Sequence, residues 1–341
     1  MRQTVAIFLD AYRSLNSKLL FWVVLGLSGL VVGCFACLGI NEHGVTFLNL
    51  QMDTGLFNST NITPEMFYKI LFSELGIKLW LSWAATILAL FSTAGIFPDL
   101  VTQGSIDLYV SRPISRFRLF CTQYLAGLLF VALQVTIFTV ISFLIMGIRG
   151  GVWAPSLFWA VPIMVCFFSY LFSVCVLIGV WTRSALAALT LTILFWVFLV
   201  CIDSAEKFLL LTINSSKQVE DDSETTMPNA SGGHAGNAKH DEKEGFLTIK
   251  RLHDVAYGLK SVFPKTSETL ALLDRQMGDA VDVRKGLGTK RRTRNDAFAG
   301  SQDATVKEIM NRPVSWVVGT SLGFELVMLS LSAWIFCRRD Y

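Results

Sequence analysis

The stretch "LFCTQYLAGLLFVALQVTIFTVISFLIMG", Leu119–Gly147, contains no Asp, Glu, Lys or Arg. A hydrocarbon core of roughly 30 Å takes about 20 apolar residues in a helix, and this run exceeds that length. Lipid offers backbone amides no partner, so a segment that enters it must satisfy its own N–H and C=O groups, as a helix does. Five more runs read the same way: Leu19–Ile40, Ile77–Phe97, Leu157–Trp181, Ser184–Ile202 and Ser315–Cys337. The 341-residue chain is 53% hydrophobic and 16% charged, with a mean hydropathy of +0.53. A water-soluble globule has no way to hide that much apolar surface. The fold class that follows is all-α, a polytopic membrane protein with six transmembrane helices. Leu19–Ile40 is too long for the h-region of a signal peptide and follows a polar segment, so it is expected to stay as an anchor.

Lysine and arginine near the span ends set the orientation, because short basic loops stay in the cytoplasm. Arg2, Arg13 and Lys18 precede the first span, Arg112, Arg116 and Arg118 lie between the second and third, Arg183 between the fourth and fifth, and Arg338 and Arg339 after the sixth. The opposite side has only Lys69 and Arg149 in its short loops, beside Glu42, Asp53, Glu65 and Glu74. Both termini are therefore expected in the cytoplasm, in a cell membrane of the bacterial inner-membrane type. Four Asn-x-Ser/Thr triplets, starting at Asn58, Asn61, Asn214 and Asn229, fall on segments placed outside. A net charge of +3, with no basic soluble domain, argues against nucleic acid as a partner.

Between the spans the chain divides into recognisable pieces. In residues 1–18, Val5, Phe8, Leu9, Tyr12 and Leu15 recur at helical spacing, as in a helix lying in the membrane interface. An outer loop spans 41–76, with Thr63-Pro64-Glu65 marking the start of a short helix up to Leu75. Residues 203–313 form a long outer segment. Its Asn214–Gly245 part is poor in large apolar residues and rich in Ser, Asn, Gly and charge, so disorder is expected there. Ile249, Leu252, Val255, Ala256, Leu259 and Val262 then mark an amphipathic helix stopped by Pro264, and Ser267–Met277 a second one. A basic string, Lys290-Arg291-Arg292-Thr293-Arg294, follows, and 314–341 holds the last span and a basic tail. Trp153, Trp159 and Trp181 sit at span ends, where amphipathic rings settle at headgroup depth.

Catalytic motifs are missing from the sequence. There is no GxxxxGK(S/T), no HExxH and no GxSxG, and the four histidines are scattered over outer loops. The seven cysteines all lie in or beside apolar runs, where a thiol acts as a small hydrophobe; Cys34-Phe-Ala-Cys37 has CxxC spacing without the βαβ setting of a redox motif. Neither an enzyme nor a metal site is expected.

The stretch "AGIFPDLVTQGSIDLYVSRPISRFRLFCTQYLAGLLF" (Ala94–Phe130) resembles the region between the second and third spans of permease subunits of type-2 ATP-binding-cassette (ABC) transporters. The residues carrying the likeness are Asp99, Gly104, Leu108, Ser111, Arg112, Pro113, Ser115 and Arg116. "FLDAYRSLNSKLLFW" is similar to that family's interfacial elbow helix and "FCRRDY" to its closing tail. "LKSVFPKTSETLALL" resembles an outer segment of the multicopper-enzyme maturation branch, such as the nitrous-oxide-reductase accessory permease. Pro113 has no amide to donate and biases Arg112 away from helix, so the turn reads as two short pieces hinged there. The resemblance implies a coupling element for a separate ATPase, made of Asp99, Gly104, Asp107, Ser111, Arg112, Pro113, Ser115, Arg116 and Arg118. It also implies a second permease copy or homologous permease, export as the direction, and ATP and Mg held by the ATPase, with no cofactor on this chain. A basic loop that only fixes topology is the plainer reading of the same arginines.

One charge lies inside a span. An ionised Glu325 at the centre of "WVVGTSLGFELVMLSLSAWIF" would cost on the order of 2.5–3.5 kcal/mol. It reads either as a neutral carboxyl joining helices, through Gln134 or Thr136 of the third span, or as part of a transport path. Gly26, Gly29 and Gly33, with Gly319 and Gly323, have the small-residue spacing of close helix packing, within the chain or between two copies. Two further readings stay open: a scaffold without transport of its own, and an ion-coupled carrier using Glu325.

Overall fold

The computed structural model describes residues 19–41, 44–47, 50–52, 64–102, 115–151, 153–226, 236–277 and 304–338. The interfacial elbow, the basic string, the last three residues of the tail, and Gly104, Asp107, Ser111, Arg112 and Pro113 lie outside the described residues.

The first apolar run forms α1, Leu19–Cys37, roughly 28 Å long at 1.5 Å per residue. It stops three residues before Ile40 because Leu38–Asn41 turns away as strand β1. With β2 (Gly44–Phe47) and β3 (Leu50–Met52) it forms an antiparallel meander, Ile40 opposite Val45 and Thr46 opposite Gln51. This small sheet stands where a loop was expected. Tyr68 ties it to the next helix by donating to the Leu38 carbonyl at 3.0 Å.

The second run is longer than its sequence reading. Helix α2, Pro64–Ile70, passes without a break into a wide-turned π-helix, Leu71–Ala85, and then into α3, Thr86–Thr93. The short helix expected up to Leu75 and the run after it are thus one rod, and Phe67–Leu100 as a whole is long and apolar enough to cross a membrane. At Ala94-Gly95 the rod breaks before α4, Ile96–Thr102.

The opening stretch lies in α5, Arg116–Gly150, which ends on Gly151 at φ 66°, a left-handed cap that costs glycine nothing. A 3₁₀ turn, Pro155–Trp159, leads into α6, Ala160–Thr182. Then follow α7 (Ala185–Thr226), α8 (Gly236–Val262), α9 (Thr266–Met277), a helical turn at 304–310, and α10 (Val314–Arg338). Helix α6 is the axis of the bundle and packs against α10, α7, α5, α9 and α4. Its Tyr170, Leu171 and Phe172 have no exposed surface. Helices α7 and α10 instead leave Leu194, Leu326 and Val327 outward, as lipid permits.

Five described helices are long and apolar enough to cross a membrane, and α1 adds a shorter apolar helix. The chain is a helical, multi-pass membrane protein.

Helix α7 differs most from expectation. Its 42 residues extend roughly 63 Å, about twice the hydrocarbon thickness, so it projects well past Ile202. The stretch expected to be disordered is helical through Thr226 and again from Gly236. Between Asp203 and Thr226 there is neither Pro nor Gly to stop the helix, and α8 packs back along it.

Candidate functional site

Three places hold polar or charged residues with something to do. The first is the end of the bundle where α4 leaves and α5 begins. Ser115 caps α5, its Oγ accepting from the Arg118 N–H at 3.4 Å, so the serine of the Ser-Arg pair is the start signal of α5. Arg116 reaches across to donate to the carbonyl of Cys337, at the end of α10, at 3.5 Å. Arg118 points outward, and Asp99 is exposed on α4. A Cβ on Gly95 would stand 2.9 Å from Asp99 Oδ2. Of the coupling residues read from sequence, Asp99, Ser115, Arg116 and Arg118 are described, and all four belong to this end of the bundle.

The second place is Glu325, 8% exposed in the middle of α10. Its Oε1 accepts from the Tyr124 hydroxyl of α5 at 2.7 Å, and its Oε2 from the Ser169 hydroxyl of α6 at 2.8 Å. Tyr124 is held by stacking on Phe172, with centroids 5.2 Å apart and planes 10° from parallel. Glu325 thus joins three helices, but not through Gln134 or Thr136. Thr136 donates to the Ala132 carbonyl of its own helix. Gln134 is ten residues beyond Tyr124, about 15 Å along α5. It lines a space of about 10 Å³ with Ser28, Thr86 and Phe168, and its Nε2 has no partner among the described residues.

The third place was not read from sequence. Beyond the apolar part of α7, Asp203 and Glu206 sit on one helix face, three residues apart. Between them and Glu268 of α9 lies Lys260 of α8, 5% exposed. Its ammonium is 2.6 Å from Asp203 and 2.8 Å from Glu268, and it also pairs with Glu206. Arg312 pairs with Glu206 at 2.5 Å and with Glu268, while Lys207 holds the other oxygen of Asp203 at 2.6 Å. Burial alone would pull the pKa of Lys260 down, but Asp203, Glu268 and Glu206 together hold it above the ordinary lysine value. The three carboxylates lie within 4.8 Å of one another, a metal-like spacing, yet Lys260 contacts all three and supplies the balancing charge. The network fastens α7, α8 and α9 to the start of α10. Asp274 continues it to the π-helix, 2.8 Å from the Ser73 hydroxyl and 3.0 Å from Lys78.

Beside this network sits Lys265, 1% exposed. Its ammonium donates to Thr320 at 2.5 Å and lies 3.6 Å from the centroid of the Trp316 ring. Burial is the main reason its pKa falls to about 8.

The glycine stripes pack on nothing described. A Cβ added at Gly26, Gly29, Gly33, Gly319 or Gly323 would meet no described atom within 4 Å. Close approach occurs elsewhere, at Gly127, where a Cβ would stand 2.8 Å from the Phe172 ring.

No protein-family model, curated protein or solved structure matches the chain. Its reading rests on its own residues.

Proposed function

We propose that the chain is the membrane-spanning permease subunit of an ATP-driven ABC transporter, working as an exporter. In this reading α1 is the first of six spans, both termini are cytoplasmic, and a second permease completes the pore. A separate ATPase docks on the turn 104–119 and on Asp99, and carries the ATP and Mg.

The observation that carries the reading is the Asp99–Arg118 turn itself: a Gly, an acid and a Ser-Arg-Pro-x-Ser-Arg order, which a loop needed only for its charge would not require. The geometry around it is favourable. The turn joins α4 to α5, so a force on it acts on both helices, and Arg116 passes that force to the end of α10. An ATPase shifts the permease only through contacts that differ between its states, and exposed Arg118 and Asp99 stand where such contacts form.

The test is a photoreactive amino acid at Arg112 or Ile114 in the full chain, expressed in its own host. Capture of a nucleotide-hydrolysing polypeptide, strengthened or weakened by ATP, is the expected result. Crosslinks to lipid alone, under conditions that trap other membrane partners, would leave the scaffold reading in its place.

A further inference from the structure

Gln134 lies about halfway along α5 and is 5% exposed. Its Nε2 has no hydrogen-bond partner among the described residues. A buried donor left in that state keeps its full desolvation cost, and hydrocarbon offers it no acceptor. The space of about 10 Å³ that Gln134 lines is about the size that holds one water.

That space sits where the π-helix gives way to α3. Leu81 and Ala85 wall it from the π-helix, Thr86 from the first turn of α3, Ser28 from α1 and Phe168 from α6. The winding changes at this point: the Thr86 N–H goes to the Trp83 carbonyl, three residues back, and the Thr86 hydroxyl donates to the Leu81 carbonyl, five back, at 2.7 Å. Thr86 Oγ1 has thus given its hydrogen away and can only accept. Ser28 is its complement. The Ser28 Oγ accepts from Trp80 Nε1 at 3.1 Å, and no described residue accepts the hydrogen of the serine. Two donors, Gln134 and Ser28, and one acceptor, Thr86, therefore border the same small space. No carboxylate lines it among the described residues, so a cation would find no counter-charge there.

We propose that this space is a binding site for a single water, which accepts from Gln134 Nε2 and Ser28 Oγ and donates to Thr86 Oγ1. About three hydrogen bonds is the usual number for a buried water. The water ties α1, the start of α3 and α5 together at one point inside the bundle. Ordered waters play this part where a membrane helix departs from α geometry and its polar groups need new partners. Such a water is held whether or not an ATPase drives the chain.

The test is X-ray radiolytic footprinting of the full-length protein in lipid vesicles, read by mass spectrometry. Radiolysis of a bound water makes a hydroxyl radical in place, and the radical hydroxylates the side chain beside it. Phe168 lines the space and is 1% exposed; Phe97 and Phe138 are buried to the same 1% and do not line it. Phe168 gains oxygen several-fold faster than both. In Gln134→Leu, which puts apolar atoms where the amide stood, the Phe168 rate falls to theirs, and unchanged low rates at Phe97 and Phe138 show that the fold is kept. Should all three rates rise, the packing is lost, and Gln134→Met takes the place of that variant with the same expected result. A native Phe168 rate no higher than those of Phe97 and Phe138 overturns the proposal, as does a folded Gln134 variant in which Phe168 is oxidised at the native rate.

Discussion

Lys260→Met tests whether α8 and α9 are held to the bundle by charge. In the native network three carboxylates, Asp203, Glu206 and Glu268, face three cations, Lys260, Arg312 and Lys207. Methionine fills much of the volume but leaves three negative charges against two positive ones, with Glu206 and Glu268 both buried. Removing one partner of a buried ion pair costs about 3–5 kcal/mol. Here each carboxylate keeps one cation, Asp203 its Lys207 and the two glutamates Arg312, so the expected loss is at the lower end, about 3 kcal/mol. Unfolding in mixed micelles with increasing denaturing detergent measures it, and hydrogen exchange should show α8 and α9 loosening before α6. Adding Glu206→Gln to Lys260→Met removes the surplus charge and should recover about half of the loss. A Lys260→Met loss under about 1 kcal/mol, within the range of an exposed pair, would refute the reasoning.

Glu325→Leu removes the short acceptor of the buried Tyr124 hydroxyl, leaving it only the Ser169 carbonyl at 3.4 Å, while Ser169 keeps the Cys166 carbonyl at 2.8 Å; the cost should be about 1 kcal/mol, and Glu325→Gln, which keeps an acceptor for Tyr124, should cost less by the same unfolding assay. Gly127→Ala pushes a methyl to 2.8 Å from the buried Phe172 ring; overpacking of about 1–3 kcal/mol is expected, since that ring is itself clamped by Tyr124. Because Lys265 holds its proton only up to about pH 8 when folded and up to its ordinary 10.5 when unfolded, the unfolded chain binds more protons across that window. Stability therefore rises with pH between these values, and the rise should be absent in Lys265→Met.

Much of the membrane framework is legible in the sequence, because a span must be a long apolar run and a single charge within one stands out. Glu325 is visible for that reason. Its partners are not, since depth in the bundle, rather than spacing along α5, decides that Tyr124 meets it and Gln134 does not. Helix α8 shows the stronger failure. Its apolar periodicity points to a core face, yet Leu252, Val255, Leu259 and Val262 are exposed, Val255 by 71%, while Lys260 is buried. Three carboxylates from two other helices draw the lysine inward, and no local pattern reports them. The available signal was Asp203 and Glu206, placed one turn apart directly after an apolar run. The π-helix has no signature in composition at all.

The proposed coupling end and outer end both rest on the orientation of the chain, and one labelling experiment measures it. Single cysteines at Ser105 and Ser216 are exposed to a membrane-impermeant maleimide in intact cells. The account requires Ser216→Cys to react from outside and Ser105→Cys to react only after the membrane is opened; the reverse pattern would contradict it.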